Sequence, residues 1–577
     1  MITKGLATFW ILTAALCAYL LTACSRDSGS GLENSSAEAD LNSVLAAISA
    51  DNIQSSLNYL ATDAREGRMT GSRGYHEAAS YVADQFATIG LDPGGTDQWF
   101  QAVPLISRMI DTQRSGVTLH TGAGDVALEW KEDVVIYADR LRPTNRIRAE
   151  VVFAGFGVHA PELGYSDFEG IDVKGKIVAT FLGAPATFPS TARAHYSSDR
   201  TKTTELTARG AIGHIHLRSR LEEKKHSWAE EVHNLGTQPE LSWVDRSGGV
   251  ADFHSQLQGE ALFSRRSAQR LFTGSDISFE EALDAAEQAQ PLPTLLGVEA
   301  TMYRTGRHER TSSPNVVGII RGSDPTLADE YIVLSTHLDH LGIGAPVGGD
   351  AIYNGMYDNA FGVAMVLEVA RALASLTAAP RRSIIFLAVT GEEQGLLGSD
   401  YFAHYPTVPS EAIVANVNMD MPLMLFPMNT VVGYGADHSS LQDLALIEAD
   451  KEGFKMIPDP FPDEVYFIRS DQYSFVRQGI PAIYFAEGNR SSDPAIDSVA
   501  ILSQFDKVHY HQPSDDLSQP IHWETSIRFT RAAVRIVYRI AMDDQRPAWN
   551  NGDFFGEKFG RQAQRLQDDL ELEQSMR

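Results

Sequence analysis

The chain has 577 residues, of which 43% are hydrophobic and 21% are charged. This balance is typical of a globular protein and excludes a disordered or fibrous one, and the length predicts two or three domains. The 48 Lys and Arg residues are outnumbered by 75 Asp and Glu residues, so the formal charge is −27. A negative charge of this size argues against nucleic acid and anionic membrane surfaces as partners.

The first residues predict a targeting segment. Lys4 precedes an apolar run over residues 6–21. The letters LTAC begin at the last residue of this run and end at Cys24. These letters resemble the lipobox of bacterial lipoproteins, which implies a signal peptide over residues 1–23 and a lipid on Cys24. Ser25 then implies the outer membrane of a diderm bacterium, facing the periplasm or the outside. A membrane span is the alternative, but the run is slightly shorter than the roughly 17–25 apolar residues that a span needs.

The positions of the cysteines limit the chemistry that is available to the rest of the chain. Cys17 and Cys24 are its only cysteines, and both lie in the targeting segment. The body can therefore have neither a disulfide nor a catalytic cysteine. Residues 24–40 are rich in Ser, Gly and acids and predict a flexible tether. Residues 546–577 predict a charged C-terminal tail with no chemistry of its own.

The pattern of apolar residues changes along the body. Residues 41–105 have helical periodicity, interrupted by EGRMTGSRG. Glu66 and Arg68 lie in this break and are expected in a solvated turn, with a role in shaping a substrate pocket as the alternative. Residues 106–300 contain short β-like runs. Over residues 301–545 strands alternate with helices, which predicts an α/β fold with a mostly parallel mixed sheet flanked by helices.

Acids and imidazoles gather where apolar strands of the last region are expected to end. YIVLSTHLDHLG contains His337 and Asp339, and RRSIIFLAVTGEEQG contains Glu392 and Glu393. Asp358 lies between them in NGMYDNAFGVA. An open α/β sheet keeps its chemistry at the strand ends. Carboxylates and imidazoles without a thiolate suit Zn²⁺ above other metals.

Three later stretches can complete such a site. Asp420 ends a strand in NVNMDMP, His511 lies in KVHYHQPSDD, and Asp471 lies in FIRSDQYSF. Two zinc ions about 3.5–4 Å apart need a bridging carboxylate, with an imidazole and a further carboxylate on each ion. The residue types present predict a hydrolase with two zinc ions per chain.

The motifs HLD, DNAxG, GEE, NMD and HxPxD occur in this order. Together they resemble the co-catalytic zinc peptidases, which include secreted leucyl aminopeptidases, glutamate carboxypeptidases, glutaminyl cyclases and transferrin-receptor ectodomains. The likeness runs from about Leu57 to Met542. It implies a zinc-exopeptidase, phosphorylase/hydrolase-like catalytic domain over residues 41–105 and 301–545. The stretch AGFGVHAPELGYSDFEGIDVKGKIVATFLG resembles a protease-associated (PA) domain, which implies a non-catalytic insertion over residues 106–300.

The resemblance implies that five side chains hold the two zinc ions: His337, Asp358, Glu393, Asp420 and His511. Asp358 is expected to bridge the ions. His337 and Asp420 then share one ion, and Glu393 and His511 share the other.

Two further residues receive roles from the same resemblance. Asp339 is expected to orient His337 through its carboxylate. Glu392 is expected to act as general base and acid for a metal-bound hydroxide. His340 and His509 are rivals to the two histidine ligands, and His340 is expected to face solvent or substrate.

Substrate contacts are predicted from one loop, at Arg469, Asp471, Gln472 and Tyr473. The function that follows is a secreted, lipid-anchored aminopeptidase acting on peptides. A carboxypeptidase or dipeptidase is the alternative, with Arg469 binding the substrate carboxylate. The sequence fits a glutaminyl cyclase or a non-catalytic, receptor-like binding protein less well than it fits these two peptidases. The sequence leaves the oligomeric state open.

Overall fold

The computed structural model describes residues 36–561 apart from residues 234 and 237. The predicted signal peptide, Cys24 and the tail beyond residue 561 lie outside the described residues. Residues 36–40, predicted as the end of the tether, are already helical. Among the described residues, no helix combines the length and the apolar character required to span a membrane.

The first part of the described chain is helical, as its periodicity predicts. It contains three helices and two strands: α1 (36–46), α2 (Ala50–Leu60), α3 (Arg73–Ile89), β1 (Asp92–Pro93) and β2 (Phe100–Ile110). The hydroxyls of Ser49 and Ser72 cap α2 and α3 by accepting main-chain N–H groups. Gly90, with a φ of 95°, ends α3 in the left-handed conformation that glycine adopts without strain.

A region of short strands and helices follows, and we call it the insert. Its strands are β3 (Gly116–Thr121), β4 (Gly124–Ala127), β5 (Val134–Ile136), β6 (Thr144–Phe153), β7 (His159–Ala160), β8 (Tyr165–Ser166), β9 (Ile177–Phe181), β10 (Gly213–Leu217), β11 (Glu240–Trp243) and β12 (Gly259–Phe263). Its helices are α4 (Ser190–Ser197), α5 (Asp199–Ala208), α6 (Arg220–Lys225), α7 (Trp228–Glu231), α8 (Arg265–Leu271) and α9 (Phe279–Glu287). The insert has a hydrophobic core of its own.

The last part alternates strands and helices. Its strands are β13 (Thr294–Ile320), β14 (Tyr331–His337), β15 (Gly342–Val347), β16 (Asp350–Tyr353), β17 (Ser383–Val389), β18 (Ile413–Asn418), β19 (Thr430–Tyr434), β20 (Lys455–Ile457) and β21 (Ala482–Glu487). Its helices are α10 (Gly362–Ala374), α11 (Leu397–His404), α12 (Leu441–Lys451), α13 (Gln472–Arg477), α14 (Ser498–Val508), α15 (Trp523–Met542) and α16 (Phe554–Phe559).

The central sheet runs in the order β20, β19, β21, β18, β14, β17 and β13. Strands β21, β18, β14 and β17 are parallel to one another, whereas β13 and β19 are antiparallel to their neighbours in this group. The prediction of a mostly parallel mixed sheet is therefore confirmed. All residues of β14 and β17 are buried, as strands covered on both faces must be.

Helices cover both faces of this sheet. One face packs against α1, α2, α3, α10, α12 and α15, and the other against α11, α13 and α16. The fully buried Phe555 lies in α16 and belongs to the second group, so part of the predicted C-terminal tail is docked on the sheet.

Strand β13 belongs to two sheets. Its first half pairs with β3 and β6 of the insert, and its second half, from Gly306 onward, pairs with β2, β17 and β1. β13 thus carries the chain without interruption between the two sheets, and β2 pairs with its second half and with β11 of the insert. The predicted boundaries at 105/106 and 300/301 fall inside these strands, and that division of the chain remains a prediction.

Candidate metal centre

Three neighbouring strands end at the same edge of the central sheet. His337 is the last residue of β14, Glu392 and Glu393 follow β17, and Asp420 lies two residues beyond β18. β14 lies between β17 and β18 and is parallel to both, so their carboxyl ends meet. The apolar strands thereby bring together side chains that are up to 83 positions apart in the chain.

Two loops supply the remaining predicted ligands. Asp358 lies in the turn Met356–Phe361 that leads into α10, and His511 lies beyond α14 with a φ of 55°. The buried carboxylate of Asp515 accepts hydrogen bonds from the main-chain N–H groups of Tyr357 (3.0 Å) and Asp358 (3.1 Å). The loop of His511 therefore holds the loop of Asp358 in place.

The two carboxylate oxygens of Asp358 face different histidines. Oδ1 lies 3.2 Å from His337 Nε2, which is also 2.8 Å from Asp420 Oδ1. Oδ2 lies 3.3 Å from His511 Nε2, which is also 3.1 Å from Glu393 Oε2. The predicted ligands thus form two groups of one imidazole and one carboxylate, joined by Asp358.

The donor set fits two zinc ions. Ligands about 2 Å from a tetrahedral zinc ion lie roughly 3.3 Å from one another, and the separations found here are 2.8 to 3.3 Å. Although burial lowers the pKa of His511, the charges of Glu393 and Asp358 raise it to about 10. The carboxylates therefore give the centre an excess of negative charge, which bound cations neutralise.

His340 does not face solvent, which was one of the two directions expected from the sequence. It is 1% exposed, and its Nδ1 lies 2.5 Å from Glu393 Oε1 and 3.8 Å from Asp358 Oδ2. Its Nε2 is buried without a hydrogen-bond partner among the described residues. Strand β14 ends at His337, so strand alternation carries no information about the direction of His340.

Asp339 supports the centre through two kinds of contact. Its main-chain carbonyl, rather than its carboxylate, lies 3.1 Å from His337 Nδ1. Its carboxylate accepts hydrogen bonds from the N–H of Glu392 and the hydroxyl of Thr70, both at 3.1 Å. Burial raises the pKa of Asp339 to about 6. The side chain thus ties the Glu392 main chain to the end of β14.

Arg68 is buried at the centre of several loops, and the expectation of a solvated turn is wrong for this residue. It is 1% exposed and donates hydrogen bonds of 2.7 to 2.9 Å to four main-chain carbonyls, those of Leu60, Leu338, Asn354 and Gly355. Sequence reasoning missed this role, because an arginine in a glycine-flanked break reads as a surface residue.

Three residues of the predicted substrate loop are absent from the lining of the cavity at the predicted metal ligands. Asp471 is fully buried, and burial raises its pKa to about 7. Gln472 accepts a hydrogen bond from Asn418, at 3.1 Å. The hydroxyl of Tyr473 lies 2.6 Å from Nδ1 of His195 in the insert. α13 begins at Gln472, and its helical turn directs these side chains into the protein.

The fourth residue of that loop, Arg469, lines a cavity of about 40 Å³ at the metal ligands, which we call the metal cleft. Glu392 also lines it, and burial raises the pKa of Glu392 well above its usual range. Tyr510 lies there as well: its hydroxyl accepts a hydrogen bond from Arg469 (2.9 Å), and its ring stacks on His511. Sequence reasoning missed Tyr510, although its place beside a predicted ligand was a signal.

Comparison with known proteins agrees with this geometry. Residues 315–537 match the family model described as Peptidase family M28. The predicted family resemblance is confirmed. The matched residues include every predicted metal ligand as well as Glu392 and Asp339.

Similar proteins extend the M28 match. The chain is 34% identical over 131 residues to "Aminopeptidase NAALADL1" of Mus musculus, which is 22% of this chain and 16% of the mouse protein. It is 32% identical over 147 residues to a "Probable zinc metalloprotease" of Pyrenophora teres f. teres, which is 25% of this chain and 30% of that protein. The chain thus spans less than a third of the length of either relative.

A solved structure shares the fold. The aminopeptidase from Aneurinibacillus sp. strain AM-1 has a TM-score of 0.51 and 18% sequence identity, over 87% of this chain and 96% of that one. At this identity the likeness shows the fold alone.

Proposed function

We propose that the chain is an aminopeptidase that uses two zinc ions to remove N-terminal residues from peptides. The observation that carries the proposal is Asp358, which offers one oxygen to each of two groups of an imidazole and a carboxylate. The M28 match and the fold support the same reading. Glu392 lines the cleft at these ligands, where a general base is required.

The residues of the cleft have distinct tasks in this proposal. When bound, two zinc ions polarise the scissile carbonyl and lower the pKa of water. The Glu392 carboxylate takes a proton from the attacking water and passes it to the leaving amine. The hydrogen bond from its N–H to Asp339 keeps the Glu392 main chain against β14 while the side chain transfers the proton. Tyr510 lines the same cleft, and its hydroxyl accepts a hydrogen bond from Arg469.

Charge in the cleft favours binding of the substrate's ammonium group. Beside the residues assigned to the zinc ions, the cleft is lined by the carboxylates of Glu392 and Asp506 and by the guanidinium of Arg469. A carboxylate that accepts hydrogen bonds from an ammonium group forms a strong, charge-assisted contact. The free N-terminus of a peptide supplies that group, which favours an aminopeptidase.

A carboxypeptidase or dipeptidase is the second candidate, and the position of Arg469 favours it. The guanidinium lies in the cleft, where it could bind a substrate carboxylate. It already donates to the Tyr510 hydroxyl and lies 3.8 Å from the carboxylate of Glu464. These contacts compete with a substrate carboxylate, so the aminopeptidase is preferred.

The test compares full-length, zinc-loaded protein with its Glu392→Gln variant on aminoacyl p-nitroanilides. We expect kcat to fall by about 10²–10⁴-fold, which is the usual contribution of a general base. Glu411→Gln, at an exposed residue far along the chain, is the matched control and keeps full activity. A chelator is expected to abolish the activity of the wild type. Robust turnover by Glu392→Gln would rule out the mechanism.

Blocked peptides separate the two candidates. The aminopeptidase requires a free N-terminus, so it cleaves C-terminal amides and leaves N-acetyl peptides intact. Cleavage of an N-acetyl peptide, with no cleavage of the amide, would establish the carboxypeptidase instead. The products are identified by mass spectrometry.

The proposal includes lipid attachment at Cys24 and a place in the cell envelope, at the outer membrane. The letters LTAC before Ser25 are its support. The test is the mass of the N-terminal peptide of protein extracted from membranes, which is expected to begin at a lipid-modified Cys24. A wild type that remains in the aqueous fraction, like Cys24→Ala, would contradict it.

A further inference from the structure

A second cavity, of about 130 Å³, opens beside the metal cleft, and we call it the side pocket. Met421, Tyr466, Tyr484 and Asp506 line both cavities, so the two lie side by side. The Tyr484 hydroxyl donates a 3.1 Å hydrogen bond to the main-chain carbonyl of Asp420, one of the metal ligands. A group attached to a substrate held in the metal cleft can therefore extend into the side pocket.

The walls of the side pocket are apolar and aromatic. Tyr434 stacks on Tyr484, with ring centroids 5.3 Å apart, and meets Tyr466 edge-on at 5.8 Å. Leu423 and Leu502 complete the walls. Rings packed against one another in this way form a rigid surface that suits the methylene groups of a long side chain.

Carboxylates give this apolar pocket a negative charge. Glu487, at the end of β21, lines it and accepts a 3.3 Å hydrogen bond from the N–H of Leu423. Glu464 and Asp506 line it as well, and no Lys, Arg or His of the described chain is in its lining. Burial raises the pKa of Glu487 to about 7, as happens to a carboxyl group that lacks a cation. The pocket thus combines apolar walls with an unmatched negative charge.

We propose that the side pocket receives the side chain of the substrate's N-terminal residue and that Glu487 selects lysine and arginine there. This inference rests on the proposed aminopeptidase function and names its substrate class. The methylene groups of either side chain contact the tyrosines, and the terminal cation meets the carboxylate of Glu487. A side chain of equal length without the cation leaves the Glu487 carboxylate without a counter-cation, and such a side chain is expected to bind less well.

The experiment measures kcat/KM at pH 8 for p-nitroanilides of lysine, arginine, norleucine, leucine and glutamate. Norleucine matches the aliphatic part of lysine without its charge. For the wild type we expect lysine to exceed norleucine by at least 10-fold. For Glu487→Gln we expect the lysine and arginine values to fall by about 10–100-fold, mainly through KM, with less than a 3-fold change for norleucine and leucine.

Two variants check the interpretation. Glu487→Asp keeps the charge and is expected to restore a preference for lysine over norleucine. Glu411→Gln, at an exposed residue outside both cavities, is expected to leave the preference of the wild type unchanged. An equal fall for all substrates in Glu487→Gln would assign Glu487 a purely structural role and overturn the inference, as would a wild type that prefers norleucine or leucine to lysine.

Binding separates this inference from the proposed function. Calorimetry with lysinamide and norleucinamide measures occupancy of the side pocket without hydrolysis. Tighter binding of lysinamide to the wild type, lost in Glu487→Gln, supports the pocket even if no peptide is cleaved. If peptides are cleaved and lysinamide binds no better than norleucinamide, the inference fails while the aminopeptidase function stands.

Discussion

Asp358 is the residue at which the two halves of the metal centre meet. Its oxygens face His337 and His511 from opposite sides, and its main-chain N–H is held by Asp515. A carboxylate can serve both halves because its two oxygens are equivalent and share one charge. An amide has one acceptor oxygen and no charge, so it can serve only one half.

We therefore predict that Asp358→Asn loses at least one of two bound zinc ions. The affinity for the lost ion is expected to fall by more than about 100-fold, beyond the 10–100-fold typical of residues that only support a ligand. Zinc content after dialysis and calorimetric titration measure the effect. Asp350→Asn is the control, since Asp350 is exposed and accepts a hydrogen bond from the N–H of Ile352. Two zinc ions bound at unchanged affinity would contradict the role of Asp358.

At the scale of elements, the centre depends on loops that are held by buried side chains. Arg68 lies between α2 and α3 and donates to carbonyls at the end of β14 and in the loop before Asp358. Its positive charge also lies near several carboxylates of the centre, including Asp358 and Asp515. One side chain thus joins the N-terminal helices to the strand and the loop that carry ligands.

Arg68→Met is predicted to lower the free energy of unfolding by about 3–5 kcal/mol, because it leaves buried carbonyls without donors and carboxylates without a cation. Zinc affinity is expected to fall by about 10–100-fold as the loops loosen. Urea unfolding and zinc titration measure the two effects. Arg73→Met is the matched control: Arg73 is exposed, pairs with Glu66 and Glu77, and is expected to change neither quantity measurably. Equal behaviour of the two variants would contradict this role.

The strands and three of the predicted ligands could be located in the sequence for the same reason. Strands β14, β17 and β18 are continuous apolar runs, so their ends are visible in the sequence, and His337, Glu393 and Asp420 stand at those ends. Asp358 and His511 lie in loops, and only the resemblance to zinc peptidases assigned them to the centre. Parallel strands then bring the residues together without further information.

Side-chain directions in loops were not predictable. His340 and Tyr473 each follow a predicted site residue, yet His340 turns inward to Glu393 and Tyr473 turns away to His195. The buried position of Arg68 depends on carbonyls as distant as 287 residues along the chain. Such directions are set by tertiary contacts rather than by local periodicity, which is why the sequence misassigned them.

At the scale of the whole molecule, Asp400 joins the insert to the rest of the described chain, which contains the predicted metal centre and is here called the catalytic part. It lies in α11 and is 1% exposed. Its carboxylate accepts hydrogen bonds from Arg200 (3.0 Å) and Trp243 (2.9 Å) of the insert and from Arg477 (3.1 Å) of α13. Two guanidinium groups from different parts of the chain thus share one buried negative charge. Together with the long strands β2 and β13, this contact couples the two parts.

Asp400→Asn is predicted to destabilise this junction by about 3–5 kcal/mol, because Arg477 loses its buried carboxylate and Arg200 keeps only the partly exposed Asp252. We expect urea unfolding to change from one transition to two, with tryptophan fluorescence and far-ultraviolet circular dichroism no longer changing at the same midpoint. Asp252→Asn is the control: Asp252 pairs with the same Arg200 at 2.7 Å but is partly exposed, so its loss is expected to cost less than about 1 kcal/mol. A single transition at an unchanged midpoint in Asp400→Asn would show that the strands alone couple the insert to the catalytic part.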